Sequence, residues 1–192
     1  HLRVEPNGNG LLVINAARVL HLNQTAIEYA RLILEQVPEK QAIRTIRRLY
    51  EVDRATARAD FRRLQEQIEA LADPGSTVCP IHGLELERID PFSTDLMAPY
   101  RMDLALTYRC NNDCPHCYVA RPTDYPEMDT GNWKAVIDRV WEVGIPHICF
   151  TGGEATLYPD LAGLIAHAEG LGLVTGLLTN GRRLWDESYV QT

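Results

Sequence analysis

Residues 106–120 read "LTYRCNNDCPHCYVA", and three of the chain's five cysteines, Cys110, Cys114 and Cys117, fall inside this stretch. Their spacing is C-x3-C-x2-C, and three chemistries compete to explain it. A disulfide framework fits poorly, because five is an odd count and crowded thiols in a chain without a secretory segment read as a metal site in a reducing, cytoplasmic compartment. Structural zinc takes four ligands, usually as two separated pairs. Here one loop supplies three thiols, with His116 available as a fourth donor. An iron–sulfur cluster is usually held by four cysteines; one held by three leaves an iron open to a substrate or cofactor. The spacing alone leaves zinc and iron–sulfur both standing.

The flanking sequence gives the loop its setting. "MDLALT" (102–107) reads as a strand that ends where the loop begins. Beyond it come a helix, "TGNWKAVIDRVWEVG" (130–144), a strand, "HICFTGG" (147–153), a second helix, "YPDLAGLIAHAEGLG" (158–172), and a third strand, "VTGLLTN" (174–180). "DESYV" (186–190) starts a further helix. Strand and helix alternating through short links predict a parallel α/β sheet or barrel. The cysteine loop then sits at the C-terminal end of the first strand, where such folds bind ligands.

A second motif closes the second strand: "FTGGEATLYPD", Phe150 to Asp160. Alone, "TGGE" reads as a tight strand-to-helix turn. Paired with C-x3-C-x2-C in matching topology, it resembles the Gly-Gly-Glu motif of the radical S-adenosylmethionine (radical SAM) enzymes. The resemblance implies Cys110, Cys114 and Cys117 as ligands of a 4Fe–4S cluster, and Gly152, Gly153 and Glu154 as the group holding the methionyl ammonium of S-adenosylmethionine. Glycines would let the backbone approach the cofactor closely, and the glutamate would supply a charge-assisted hydrogen bond. His116 occupies the family's position near the adenine. Asn180, ending the third strand in "LLTNG", is a candidate polar contact to the cofactor, or simply an Asn-Gly turn. The implied activity is reductive cleavage of S-adenosylmethionine to a 5′-deoxyadenosyl radical that abstracts hydrogen from a substrate, with flavodoxin or ferredoxin as electron donor; the protein itself orients and shields. Cys149 reads as a core residue of the second strand, and Cys79, with His82 in "VCPIHG", receives no role.

The front of the chain has a different rhythm. "LRVE", Leu11–Ile14 and Arg18–Leu22 predict a small three-stranded antiparallel sheet. Asn23 caps a helix with Ala26, Ala30, Ile33 and Leu34 on its apolar face, Pro38 opens a second with Ile43, Ile46 and Leu49, and Asp53 caps a third with Phe61, Leu64, Ile68 and Leu71. A sheet and three helices in residues 1–72 make a winged-helix-like α+β plan. Residues 73–100 hold four prolines and read as a linker with one short strand at "GLELERI". The hairpin, "HLNQTA" at the strand-to-helix junction and the helical pattern to Leu71 resemble the PqqD-like chaperone domain of the pyrroloquinoline-quinone pathway, a leader-recognition (RRE) element of peptide-modifying systems. That resemblance implies a leader peptide added as a strand at the sheet edge, against the third helix.

Charge divides the chain similarly: residues 1–72 carry 11 Lys/Arg against 9 Asp/Glu, residues 73–192 carry 8 against 17. Residues 40–63 alone hold 8 basic and 3 acidic side chains. That stripe suits an acidic leader, a helix-turn-helix on DNA, or plain solvation; without a long basic tract, nucleic acid is disfavoured. No apolar run is long enough to span a membrane.

The expectation is therefore an α/β chain: a PqqD-like domain (1–72), a linker (73–100) and, over 101–192, a partial radical SAM (β/α) barrel with about three of six βα units. The favoured function is radical maturation of a ribosomally made precursor peptide. The alternatives are a radical enzyme acting on a small molecule, with a structural front domain, and an iron–sulfur DNA-binding regulator. Three units of six also predict a fragment of a longer protein, whose open sheet edge calls for a completing segment, an exchanged dimer or an incomplete cofactor site.

Overall fold

The computed structural model describes residues 1–15, 18–73, 75, 90, 96–119 and 125–191. The chain divides into two compact units, His1–Met97 and Ala98–Thr192. Cys79, His82 and the expected "GLELERI" strand lie outside the described residues. Among the described residues no helix is long and apolar enough to cross a membrane.

In the first unit, β1 (Leu2–Val4), β2 (Gly10–Ile14) and β3 (Arg18–Leu22) form an antiparallel sheet in that order. Three helices follow: α1 (Gln24–Leu34), α2 (Glu39–Leu49) and α3 (Arg54–Ala72). The caps sit where the sequence places them. Asn23 Oδ1 accepts from the Ala26 amide at 2.9 Å, and Asp53 Oδ1 accepts from Ala55 and Thr56 at 2.8 and 3.0 Å, satisfying donors a helix start would otherwise leave open. On α3 the expected face is buried in full: Phe61, Leu64, Ile68 and Leu71, joined by Ala57.

The other two helices correct the sequence reading. On α1 the buried residues are Ile27, Tyr29, Ala30 and Leu32, whereas Leu34 is half-exposed. Ala26, Ala30 and Ile33 of the expected face do pack in the core, and because the helix packs against both the sheet and α3 its buried arc is wider than that stripe. Tyr29 meets Phe61 edge to face at 6.4 Å, a favoured aromatic geometry. On α2, Ile43 and Ile46 are buried but Leu49, in the last turn, is exposed.

In the second unit, β4 (Arg101–Thr107), β5 (His147–Gly152) and β6 (Val174–Leu177) form a parallel sheet in chain order. Helices α4 (Thr130–Glu142) and α5 (Leu161–Gly170) are the crossovers, and α6 (Glu187–Val190) is a single turn. Trp133, Ile137 and Val140 of α4 and Leu161, Leu164 and Ala168 of α5 close a core with Leu104, Leu106, Ile148 and Phe150 of the strands. β4 and β6 are the two edges, and Leu178, just past β6, is half-exposed. Because all three strands run the same way, their C-terminal ends bring together residues 107–110, 152–154 and 178–180.

Candidate cofactor site

The second strand's end fits against the first through its glycines. The β4–β5 register slips between Ala105 and Thr107, so that Thr107 pairs with Gly152. The chain then turns tightly, with Gly152 at φ +138°, a region that disfavours every side chain. A Cβ on Gly152 would lie 2.1 Å from the Thr107 carbonyl oxygen, and one on Gly153 would lie 2.5 Å from that of Arg109. The amides that follow donate across the gap, Gly153 to Thr107 O and Glu154 to Arg109 O, both at 2.8 Å. Within the chain the two glycines serve a backbone-to-backbone approach between β5 and the root of the cysteine loop.

Glu154 is buried to 1% exposure. Its Oε1 accepts from the Thr156 amide (3.1 Å), Thr156 Oγ1 (2.7 Å) and Thr179 Oγ1 (2.6 Å), and its Oε2 accepts from the Asn180 amide (2.7 Å). Burial by itself pushes this carboxyl up, but the hydrogen bonds from Thr179, Asn180 and Thr156 outweigh it and hold the group below the usual carboxylate range. Glu154 is thus a buried anion fixed by neutral donors, with fewer bonds on Oε2 than on Oε1. A buried carboxylate is costly unless it is well compensated, and a ligand ammonium at Oε2 would add an opposite charge.

Asn180 reaches the cysteine loop. Its Nδ2 donates to Asn111 Oδ1 at 2.7 Å and lies 4.0 Å from Cys110 Sγ, and the Asn112 amide lies 3.4 Å from the same sulfur. The root of the loop is held by Arg109: its Nε and Nη2 meet Glu127 Oε1 and Oε2 at 2.7 and 3.2 Å, and Nη2 also donates to Leu157 O at 2.9 Å. Thr107 Oγ1 donates to the same Glu127 carboxylate and accepts from the Arg109 amide at 3.0 Å.

The structure therefore brings together Cys110, Gly152, Gly153, Glu154 and Asn180 of the expected site. It does not gather the three thiols: among the described residues no three His, Cys, Asp or Glu side chains are grouped closely enough for a metal. Cys110 is half-buried, Cys114 and Cys117 are exposed free thiols, and His116 is exposed between them. Cys149 is buried in β5, where burial pushes its thiol up, away from a reactive thiolate. Thr179, Arg109 and Glu127 escaped the sequence reading. Thr179 carried a weak signal as the residue before Asn180, whereas the Arg109–Glu127 pair joins the two ends of a long loop and leaves no local pattern.

The donor set fits an iron–sulfur cluster. Three soft cysteine ligands on one accessible loop suit iron and sulfide, and a cluster held by these three alone would keep one iron open to a ligand.

Comparison with known proteins agrees with this geometry. Residues 104–191 match the model of the Radical SAM superfamily, whose proteins use a 4Fe–4S cluster and S-adenosylmethionine. The PqqA peptide cyclases of Xanthomonas campestris pv. campestris (strain B100) and Xanthomonas euvesicatoria pv. vesicatoria (strain 85-10) are 40% and 39% identical over 85 residues, which is 43% of this chain and 23% of theirs. The chain thus spans about a quarter of the length of those curated relatives. Among solved structures, Streptococcus suis SuiB bound to its precursor peptide SuiA covers 99% of this chain and 43% of its own, with a TM-score of 0.58 and 17% identity. SuiB bound to S-adenosylmethionine matches with a TM-score of 0.57 and 18% identity. At such identities the likeness is one of fold.

Proposed function

We propose that this chain is part of a radical SAM maturase that modifies a ribosomally made precursor peptide, held through its leader by a PqqD-like domain at residues 1–72. Residues 73–100 would be the linker and 101–192 the first half of the barrel, working in the cytoplasm with a flavodoxin- or ferredoxin-like donor. The carrying observation is the meeting of Cys110, Glu154 and Asn180 at the C-terminal ends of three parallel strands. Cys110, Cys114 and Cys117 would hold the cluster. The bound cluster and S-adenosylmethionine supply one-electron chemistry that makes a radical able to abstract hydrogen.

Everything else the chain does there is positioning. Glu154, fixed by Thr156, Thr179 and the Asn180 amide, presents Oε2 to a ligand ammonium without reorganising, the economy expected of a preorganised site. Asn180 ties the third strand to the cysteine loop through Asn111. The Arg109–Glu127 pair holds the loop's root, so that only its outer part moves when the sulfurs converge.

The peptide half of the reading is supported by the relatives, which act on or bind peptides by name, and by a groove in the first unit. Leu20, Leu22, Ala26, Tyr29 and Leu64 line a cavity of about 320 Å³ between β3, α1 and α3, with Asp60 and Arg63 at its rim. Among the described residues β3 is an edge of its sheet, and an edge beside an apolar groove suits strand addition, with main-chain bonds for affinity and the groove for specificity. Among the described residues the buried Tyr29 hydroxyl has no hydrogen-bond partner, and a peptide carbonyl would satisfy it as a donor.

The test is anaerobic reconstitution of the full-length protein with iron and sulfide, then addition of S-adenosylmethionine, dithionite and candidate precursor. Expected are 5′-deoxyadenosine and a mass change in the peptide's core, both lost in Cys114→Ala. A loaded cluster that yields no 5′-deoxyadenosine defeats the enzymatic reading; product with free small molecules but never with peptides defeats the maturase reading.

A further inference from the structure

A second concavity in the first unit shares no lining residue with the groove beside β3. Lys40, Arg44, Arg47 and Arg48 of α2 and Arg54 and Arg58 of α3 surround a cavity of about 400 Å³ whose one carboxylate is Glu39. All six cationic side chains are exposed. Among the described residues only Arg58 of the six is in an ion pair, with Glu39 at 2.5 Å; the nearby Arg62 meets the same carboxylate at 3.2 Å. Five cations on two packed helices thus repel one another without an acidic partner, in a chain whose net charge is −7. Uncompensated like charge destabilises the folded unit, and such a cluster is explained by what it binds.

We propose that this α2–α3 cavity is a docking site for an acidic polypeptide segment, a second contact for the precursor peptide that is separate from the β3 groove. The proposal rests on reading the unit as peptide-binding. Three observations favour a carboxylate-bearing chain over a nucleic acid. Five of the six cations are arginines, whose planar forks grip carboxylates two bonds at a time. Glu39 already shows that grip from within the chain, drawn below the usual carboxylate range first by the Arg58 hydrogen bond and then by Arg62. The basic groups line a hollow between helices, whereas duplex reading needs an element that protrudes into a groove.

Two contacts on one peptide have a consequence that one does not. An acidic run seated among the arginines raises the effective concentration of the neighbouring segment at β3. The electrostatic contact then sets how fast the peptide arrives and how salt-sensitive it is, while the groove sets which sequence stays.

The test uses the full-length protein and fluorescein-labelled peptides in anisotropy titrations: a twelve-residue peptide with six glutamates, its six-glutamine counterpart, and a labelled 20-base-pair duplex. Expected are binding of the glutamate peptide that weakens with added salt, weaker binding of the glutamine peptide, and a loss of about tenfold or more in Arg44→Glu/Arg48→Glu. Arg31→Glu, an exposed reversal outside the cavity, should leave binding unchanged, and circular dichroism checks that each variant is folded. Equal affinity for the two peptides, indifference to Arg44→Glu/Arg48→Glu, or a duplex that binds tighter and displaces the glutamate peptide overturns the proposal. Failure of the leader reading shows elsewhere: a precursor whose binding ignores Leu20→Asp sinks the groove while leaving the arginine result intact.

Discussion

At the scale of single residues, the root of the cysteine loop depends on one bidentate pair. Glu127 is held below the usual carboxylate range, first by the hydrogen bond from Arg109 and then, against the cost of burial, by that from Thr107. A folded-state value lower than the unfolded one stabilises the folded chain above the unfolded value, and the contribution is lost as pH falls through the folded one. Glu127→Gln should therefore lower the melting temperature at pH 7, by the equivalent of about 0.5 kcal/mol for a partly exposed pair. The gap between the two proteins should close as pH drops below the ordinary 4.5 of a glutamate. Parallel melting curves from pH 7 to pH 3 check this, and a gap that persists at pH 3 would assign the effect to shape instead of charge. The glycines of the turn work by a different physics, since a Cβ there meets main-chain oxygens and no rotamer relieves the clash.

At the scale of elements, Phe61 joins the three helices into one core. It is 4% exposed on α3 and stacks edge to face on Tyr29 of α1. Phe61→Ala should destabilise the first unit by about 3–5 kcal/mol, as buried aromatic truncations do, and should abolish peptide binding at β3, because Tyr29 and Leu64 line that groove. Denaturant unfolding followed in the far ultraviolet measures the first effect. The same elements show what the sequence could reveal. Caps at Asn23 and Asp53 and the α3 stripe were legible because each is a local pattern of spacing and side-chain chemistry. The buried arc of α1 was not, because which of its faces turns inward depends on contacts with both β3 and α3. In the site, Cys110, Glu154 and Asn180 were legible from motifs at the ends of predicted strands. Arg109 with Glu127, and the separation of the arginine cavity from the groove, were not, since they arise where distant segments meet.

At the scale of the whole molecule, the arginine-rich cavity of α2 and α3 and the strand ends that meet at Glu154 belong to different units. Substitutions on α2, α3 and β3 would leave untouched the strand ends that meet at Glu154. The second unit presents its thiols unevenly. Cys110 lies partly sheltered beside Asn112 and Asn180, while Cys114 and Cys117, three residues apart and joined by a turn from the Cys117 amide to the Cys114 carbonyl at 3.0 Å, stand open to solvent. For the protein without its cluster this sets up a race. Oxygen can join the two outer cysteines to each other before iron reaches them, and a joined pair has no thiolates left to offer. Air-exposed protein should therefore take up iron only after reduction, with mass spectrometry finding the Cys114–Cys117 bond ahead of any bond to Cys110. The order in which a cell delivers iron, sulfide and reductant would then decide how much of this chain ever becomes active.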